Sequence, residues 1–141
     1  MNTEMVPPAS LHPSIGTTAE VVQRAHDLIP VLRDRVSETE RLRQLPEATV
    51  ADIKRTGVHR VFQPARFGGS ESPFRAGVDI LCALGRGCAS TAWVLVQNMT
   101  HNLMIAQWPD QAQQEVWGSQ PDAMVSGILI PGVGRARRVQ D

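Results

Sequence analysis

The sequence has only two cysteines and no excess of charge of either sign. Cys82 and Cys88 supply neither a disulfide framework nor a CxxC metal half-site, so we expect two reduced thiols that pack as small apolar side chains. Fourteen basic residues balance fourteen acidic ones. This balance argues against a protein that binds nucleic acid through bulk positive charge.

The sequence also lacks a long hydrophobic run. Its longest apolar stretch falls within residues 124–131, far short of the roughly 20 residues that a bilayer requires. No basic region followed by an apolar stretch opens the chain, so we predict no secretory signal. We therefore expect a cytoplasmic protein without membrane contact, whose 141 residues, 42% of them hydrophobic, suffice for a core.

Composition divides the chain into three parts. Residues 1–16 carry three prolines and little apolar periodicity, which predicts a disordered leader. Residues 17–119 show helical periodicity between proline and glycine signals, which predicts a helical domain. Residues 120–141 hold a β-compatible apolar run and a Pro-Gly turn, typical of the start of a sheet. Because such strands lack partners, we infer a truncated, mainly α chain that ends at the edge of a β domain.

Local signals predict several helix ends. Thr17 with Glu20 forms a capping box, so the first helix should begin near Thr18. Pro30 interrupts the apolar pattern of that helix, which predicts a bend or a break into two helices, and we favour the bend. Gly57 suits a left-handed C-terminal cap of a short second helix.

Three more helices follow in the pattern. The third opens after Pro73, and five of its residues predict one buried face: Phe74, Val78, Leu81, Cys82 and Leu84. The fourth, residues 92–106, is apolar on nearly all sides, which predicts a central helix capped by Ser90 or Thr91. Pro109 and Gly118 bound a brief fifth helix.

His101 is the most promising titratable group, because it interrupts this apolar central helix. An imidazole there can serve as a general base near neutral pH, and a histidine satisfied within the core is the alternative. Trp93 lies eight residues earlier, about two helical turns, so we expect it on roughly the same side as His101. The two side chains would then line a pocket, unless Trp93 is simply a core residue.

Other candidate motifs are weaker. Ser126 lies in the apolar strand run, where a hydroxyl is not needed for packing. Gly132 and Gly134 form a GxG, but Pro131 precedes it and no helix follows, which excludes a dinucleotide-binding fingerprint. A cluster of three arginines would bind a phosphate or, as charged residues, protect a strand edge: Arg135, Arg137 and Arg138.

No metal site is predicted. His12, His26 and His59 share no spacing with acidic or cysteine partners that would suggest one. The sequence also has no nucleophile elbow and no Walker loop.

Two segments carry a family resemblance: residues 63–69, QPARFGG, and residues 84–93, LGRGCASTAW. They resemble the N-terminal helical domain of the acyl-CoA dehydrogenase superfamily. Within it, the chain is most similar to flavin-dependent monooxygenases, the oxygenase components of two-component systems that hydroxylate phenols and related aromatics. The resemblance extends over nearly all of residues 18–141. Its further motifs, in the same order and spacing, are Leu45-Pro46, Trp108-Pro109 and residues 115–118, EVWG.

The resemblance implies a three-part protein. A helical N-terminal domain is followed by a central β domain that holds the flavin and by a C-terminal helical bundle that builds a homotetramer. The resemblance also implies reduced FMN or FAD supplied by a separate flavin reductase, with oxygen and a small aromatic substrate.

The resemblance further assigns roles by position. His101 matches a histidine that contacts the substrate hydroxyl, Trp93 matches an aromatic residue that lines the site, and Asn102 is expected to bind substrate beside them. Ser126 lies near a serine that contacts flavin or substrate. The turn that contains Pro131 and Gly132 resembles a loop that passes the flavin ring.

The leading hypothesis is the N-terminal part of a reduced-flavin-dependent aromatic monooxygenase, with His101 as base or hydrogen-bonding partner. The full-length protein would be the enzyme, and the 141-residue chain alone would be inactive. One alternative is an acyl-CoA dehydrogenase that oxidises an acyl thioester with FAD. A second alternative is a non-catalytic helical fragment or interaction module.

Overall fold

The computed structural model describes residues 12–127. Within this range the chain forms seven α-helices and two short 3₁₀ turns, and the turns, Val58–Arg60 and Ala65–Phe67, lie between the fourth and fifth helices. The helices are α1 Thr18–Asp27, α2 Ile29–Asp34, α3 Val36–Leu42, α4 Glu47–Thr56, α5 Phe74–Gly87, α6 Ala89–Ile105 and α7 Asp110–Trp117. None of them is both long and apolar enough to cross a membrane. The observed architecture confirms the prediction of a helical N-terminal domain.

The start of α1 follows its sequence signal. Glu20 Oε2 accepts a hydrogen bond from the Thr17 backbone N–H at 2.7 Å, and Thr17 Oγ1 accepts one from the Glu20 N–H at 3.3 Å. The helix predicted to bend at Pro30 is instead divided, because α1 ends at Asp27 and α2 begins at Ile29. Proline has no N–H to continue the ladder, so the helical hydrogen bonds are interrupted just before it.

The N-terminal segment is partly packed, in contrast to the predicted leader. Ile15 is buried in the main core and lies against Gly57, where a Cβ atom would be only 2.8 Å from Ile15 Cγ2. Gly57 itself has φ 72°, so it forms the predicted left-handed cap of α4. Residues 1–11 lie outside the described residues.

The buried face of α5 differs from the prediction. Phe74, Val78 and Cys82 are exposed, while the buried residues of α5 are mostly small: Ala76, Gly77, Ile80, Ala83, Leu84 and Gly87. Small residues allow neighbouring helices to approach closely. At Gly87 an added Cβ would lie 2.9 Å from Leu32 Cβ in α2. The prediction is confirmed for Leu84, which is fully buried, and for Leu81, which packs partly buried against the core, but it is wrong for Phe74, Val78 and Cys82.

Helix α6 packs against α5 and begins directly after it. Cys88 occupies the N-cap position and makes no side-chain capping bond, so the predicted cap at Ser90 or Thr91 is wrong. Both residues lie within the helix instead. Cys88 is buried as expected, whereas Cys82 is exposed.

A second cluster forms at the far end of α6, from Phe67, Ile105 and Trp117. The Phe67 and Trp117 rings lie 5.6 Å apart between centroids. Helix α7 follows Pro109 and ends before Gly118, as predicted. After it, residues 123–127 form neither helix nor strand, and the rest of the predicted strand region, residues 128–141, lies outside the described residues.

Candidate functional site

The second half of α6 buries three polar side chains. Asn98, His101 and Asn102 are three and four residues apart, so they share one face of the helix, and all three are buried. Buried polar groups are costly unless they are hydrogen-bonded. Their partners therefore indicate what each residue does.

Asn102 joins α6 to the turn before α5. Its Nδ2 donates to the backbone carbonyl of His59 at 2.9 Å, and the residue has no exposed surface. Its Oδ1 has no hydrogen-bond partner among residues 12–127. The predicted role of Asn102 in binding substrate stays a prediction, and the contact shown here is structural.

His59 is a fully buried histidine. Burial, with a smaller contribution from the positive charge of Arg60, lowers the pKa of His59 to about 4. The ring is therefore neutral at physiological pH. Sequence spacing had given no signal for its burial.

Asn98 forms a hydrogen bond to the segment after α7, residues 121–127, where the chain leaves the helical domain. Its Nδ2 donates to the carbonyl of Val125 at 3.2 Å. Two residues later the backbone passes the ring of His101, since a Cβ added at Gly127 would lie 2.8 Å from His101 Nε2. Only a residue without a side chain fits against the ring in this position. Ser126, immediately before it, is exposed.

His101 is 8% exposed. Its Nδ1 is buried without a hydrogen-bond partner in the described part of the chain, while Nε2 faces Gly127. A neutral imidazole carries one donor and one acceptor nitrogen. The ring therefore retains hydrogen-bonding capacity where the chain leaves the helical domain. Both ring nitrogens of the fully buried His59 also lack partners among residues 12–127, so the position of His101 beside Gly127 is what distinguishes it.

Trp93 lies apart from His101, contrary to the expectation that the two line one pocket. Trp93 is 68% exposed and borders an open groove of about 680 Å³ between the end of α3 and the start of α6. The groove is bounded on the other side by Arg43 and Leu45, and His101 is not among its lining residues. Eight residues at 3.6 per turn leave a rotation of about 80° between the side chains, which separates them.

The predicted flavin contacts are only partly described. Ser126 is exposed and immediately precedes Gly127, the residue against the His101 ring, whereas Pro131 and Gly132 lie outside residues 12–127. Within that range no group of three potential metal ligands occurs. The predicted roles of all these residues stay predictions.

Gln63 is a buried residue of this region that sequence reasoning missed. Its Nε2 donates to the carbonyl of Phe67 at 2.7 Å and to that of Pro121 at 2.8 Å, so it ties the QPARFGG loop to the segment after α7. Gln63 opens that loop, and the position of this motif was the available signal. Together with Asn98, Gln63 fixes the path of residues 121–125 across the helices.

Comparison with known proteins identifies the family. The acyl-CoA dehydrogenase N-terminal domain matches residues 20–120. The chain belongs to this family. The curated relatives include the flavin-dependent monooxygenase oxygenase subunit HsaA of Rhodococcus jostii, 34% identical over 81% of this chain. The oxygenase component of p-hydroxyphenylacetate 3-hydroxylase from Acinetobacter baumannii is 30% identical over 85% of it.

Solved structures of family members share the fold. The HsaA monooxygenase of M. tuberculosis superposes with a TM-score of 0.73 at 33% identity and covers 76% of this chain. XiaF from Streptomyces sp., solved with FADH2 and glycerol, gives 0.71 at 36% identity over 76% of this chain. The chain spans 30% and 28% of the lengths of the two curated relatives, and 29% and 27% of the two solved chains.

Proposed function

We propose that this chain is the N-terminal part of the oxygenase component of a two-component flavin-dependent monooxygenase. The whole protein would hydroxylate a small aromatic or phenolic substrate with reduced FMN or FAD and oxygen. A separate reductase supplying the flavin, a homotetrameric assembly and a cytoplasmic location belong to the same proposal. Support comes from relatives described as oxygenase components of monooxygenases and hydroxylases.

The observation that carries the proposal is the state of His101. A nearly buried imidazole with an unpartnered Nδ1 lies where the chain leaves the helical domain, against a backbone without a side chain. Leaving a buried polar atom without a partner costs roughly 1–3 kcal/mol, and His101 lies where a ligand could offset that cost. A substrate hydroxyl at Nε2 would hydrogen-bond the ring and leave its proton on the buried Nδ1.

His101, Ser126 and Gly127 could form one side of a site that binds flavin and substrate. The backbone of Gly127 lies next to His101, where the absent Cβ leaves room for the ring, and the residue before it, Ser126, is exposed. When bound, reduced flavin supplies the electrons with which oxygen is activated. We assign Ser126 to contact flavin or substrate, with Pro131 and Gly132, which follow it in the sequence, as further contacts.

The chemical role that we assign to His101 is to accept a hydrogen bond, and then the proton, from the substrate hydroxyl. Accepting a hydrogen bond from a phenolic hydroxyl at Nε2 would increase the electron density of the aromatic ring and favour attack at a ring carbon. The largely buried position of His101 limits competing contact with water, which strengthens this interaction. Asn98 and Asn102 anchor the helix on either side of the imidazole, so the ring has a defined position.

The test is a histidine substitution in the full-length enzyme supplied with its reductase. His101→Gln should lower the rate of hydroxylated product formation about 100-fold, because general base catalysis contributes at least that much. It should also flatten the pH–rate profile while flavin still binds. His26→Gln, which alters an exposed histidine of α1, is the matched control and should leave both unchanged. An unaltered rate and pH profile in His101→Gln contradicts the assignment.

An acyl-CoA dehydrogenase is the second candidate, because the family is named for that activity. It would oxidise an acyl thioester with FAD. Oxygen uptake coupled to a hydroxylated product supports the monooxygenase. Reduction of an electron-acceptor dye by an acyl-CoA, without oxygen uptake, supports the dehydrogenase.

A further inference from the structure

A second, polar pocket lies away from the exposed apolar groove. It has a volume of about 500 Å³ and lies between the N-terminal segment, the end of α4 and the segment after α7. Three guanidinium groups, those of Arg24, Arg55 and Arg60, line it. The single carboxylate of the lining, Asp122, lies 3.5 Å from Lys54 Nζ and so has a cation partner of its own.

The three arginines differ in how their charge is balanced. Arg55 pairs with Asp52 at 2.9 Å, and Arg24 donates to two backbone carbonyls, those of Ile15 and Thr56. Arg60 Nε is buried with no hydrogen-bond partner, and no carboxylate among residues 12–127 lies within ion-pair distance of Arg60. Burial lowers the pKa of Arg60, and the negative charge of Asp122, beyond ion-pair distance, opposes part of this shift.

A cation placed in this way is costly. The guanidinium of Arg60 loses hydration on burial, and the negative charge of Asp122 offsets only part of that loss. The planar fork of an arginine matches carboxylate and phosphate oxygens, which bind it through two parallel hydrogen bonds. Two further guanidinium groups around the same cavity add positive potential. Within the lining, His12 Nε2 already lies 3.2 Å from the Gly118 carbonyl, which leaves the arginines as the available donors.

We propose that this pocket binds an oxyanion, a phosphate or a carboxylate, with Arg60 as its principal ligand and Arg24 and Arg55 at its rim. The site is independent of the assignment of His101. The oxyanion comes either from a small molecule or from an acidic side chain of the polypeptide outside residues 12–127.

The experiment measures thermal unfolding of the chain in sodium phosphate, in sodium acetate and in sodium chloride of matched ionic strength. With a dissociation constant near 1 mM, about 20 mM ligand should raise Tm by roughly 5 °C above the chloride control. Arg60→Gln should abolish the shift. Arg75→Gln is the matched control, because Arg75 is an exposed residue of α5 that pairs with Asp79 outside the pocket. It should retain the full shift.

Comparing the Tm shift in phosphate with that in acetate distinguishes the two possible sources of the oxyanion. A shift with phosphate alone indicates a phosphorylated small molecule. Equal shifts with both anions indicate a site that also accepts a carboxylate, as an acidic side chain requires. No shift above chloride, or the same shift in Arg60→Gln, overturns the proposal. If Arg60→Gln fails to fold, Arg55→Gln replaces it, because Arg55 is 70% exposed and its removal should reduce the shift by about half without disturbing the core.

Discussion

The two halves of α6 reverse the usual distribution of side chains. In its first turns, Trp93 and Val94 are exposed beside an open groove. In its second half, Asn98, His101 and Asn102 are buried. A surface helix normally buries its apolar side chains and exposes its polar ones. The reversal shows that Asn98, His101 and Asn102 are committed to contacts within this domain, whereas Trp93 and Val94 contribute little to its core.

The two halves therefore predict different responses to substitution. The polar half should respond through lost hydrogen bonds and cavities. The exposed side chains of the first half should respond weakly, because they make few contacts that unfolding would break.

The largest effect is expected at Asn102. Asn102→Ala removes the hydrogen bond to the His59 carbonyl and leaves both a cavity and a buried acceptor. It should lower the free energy of unfolding by about 2–3 kcal/mol, measured by chemical denaturation. Gln97→Ala, at an exposed position of the same helix, should change it by less than about 0.5 kcal/mol. Similar values for the two variants would contradict the structural role of Asn102.

The next effect is a dependence of stability on pH through His59. The pKa of His59 is about 4 in the folded state, against 6.5 for a solvent-exposed histidine, so between these two values the unfolded state binds a proton that the folded state does not. Stability should therefore fall as the pH drops through this range, by about 2 kcal/mol from about pH 7.5 to about pH 5.

Substitution isolates this contribution. His59→Gln should reduce the slope of stability against pH, whatever its effect at neutral pH. His26→Gln, at an exposed histidine, should leave the slope unchanged. A slope that persists undiminished in His59→Gln would assign it to other groups.

The smallest effect is expected at Trp93. Trp93→Ala should change the free energy of unfolding of this chain by no more than about 0.5 kcal/mol, despite the size of the side chain removed. Leu95→Ala, two residues further and fully buried, should cost about 2–5 kcal/mol. A large loss of stability in Trp93→Ala would erase the contrast between the two halves of α6.

Sequence reasoning succeeded where the signal is local. The capping box of Thr17 and Glu20, the left-handed cap at Gly57 and the proline before α7 each depend on a few neighbouring residues. Such signals act through backbone geometry and need no knowledge of the rest of the fold.

Sequence reasoning failed where the answer depends on tertiary packing. Phe74 and Val78 share a side of α5, but the core covers a different side, lined by small residues. His101 was identified because it interrupts an apolar helix, whereas the burial of His59 depends on packing between segments distant in sequence. The contact of Gly127 with the His101 ring likewise became visible only when the chain path was known.

The bond from Asn98 to Val125 has a mechanical consequence. Helix α6, which carries the His101 imidazole, also hydrogen-bonds the backbone segment that lies against that ring. Any tilt or slide of that helix would carry both surfaces along together, so the spacing between ring and main chain is preserved during breathing motions of the domain.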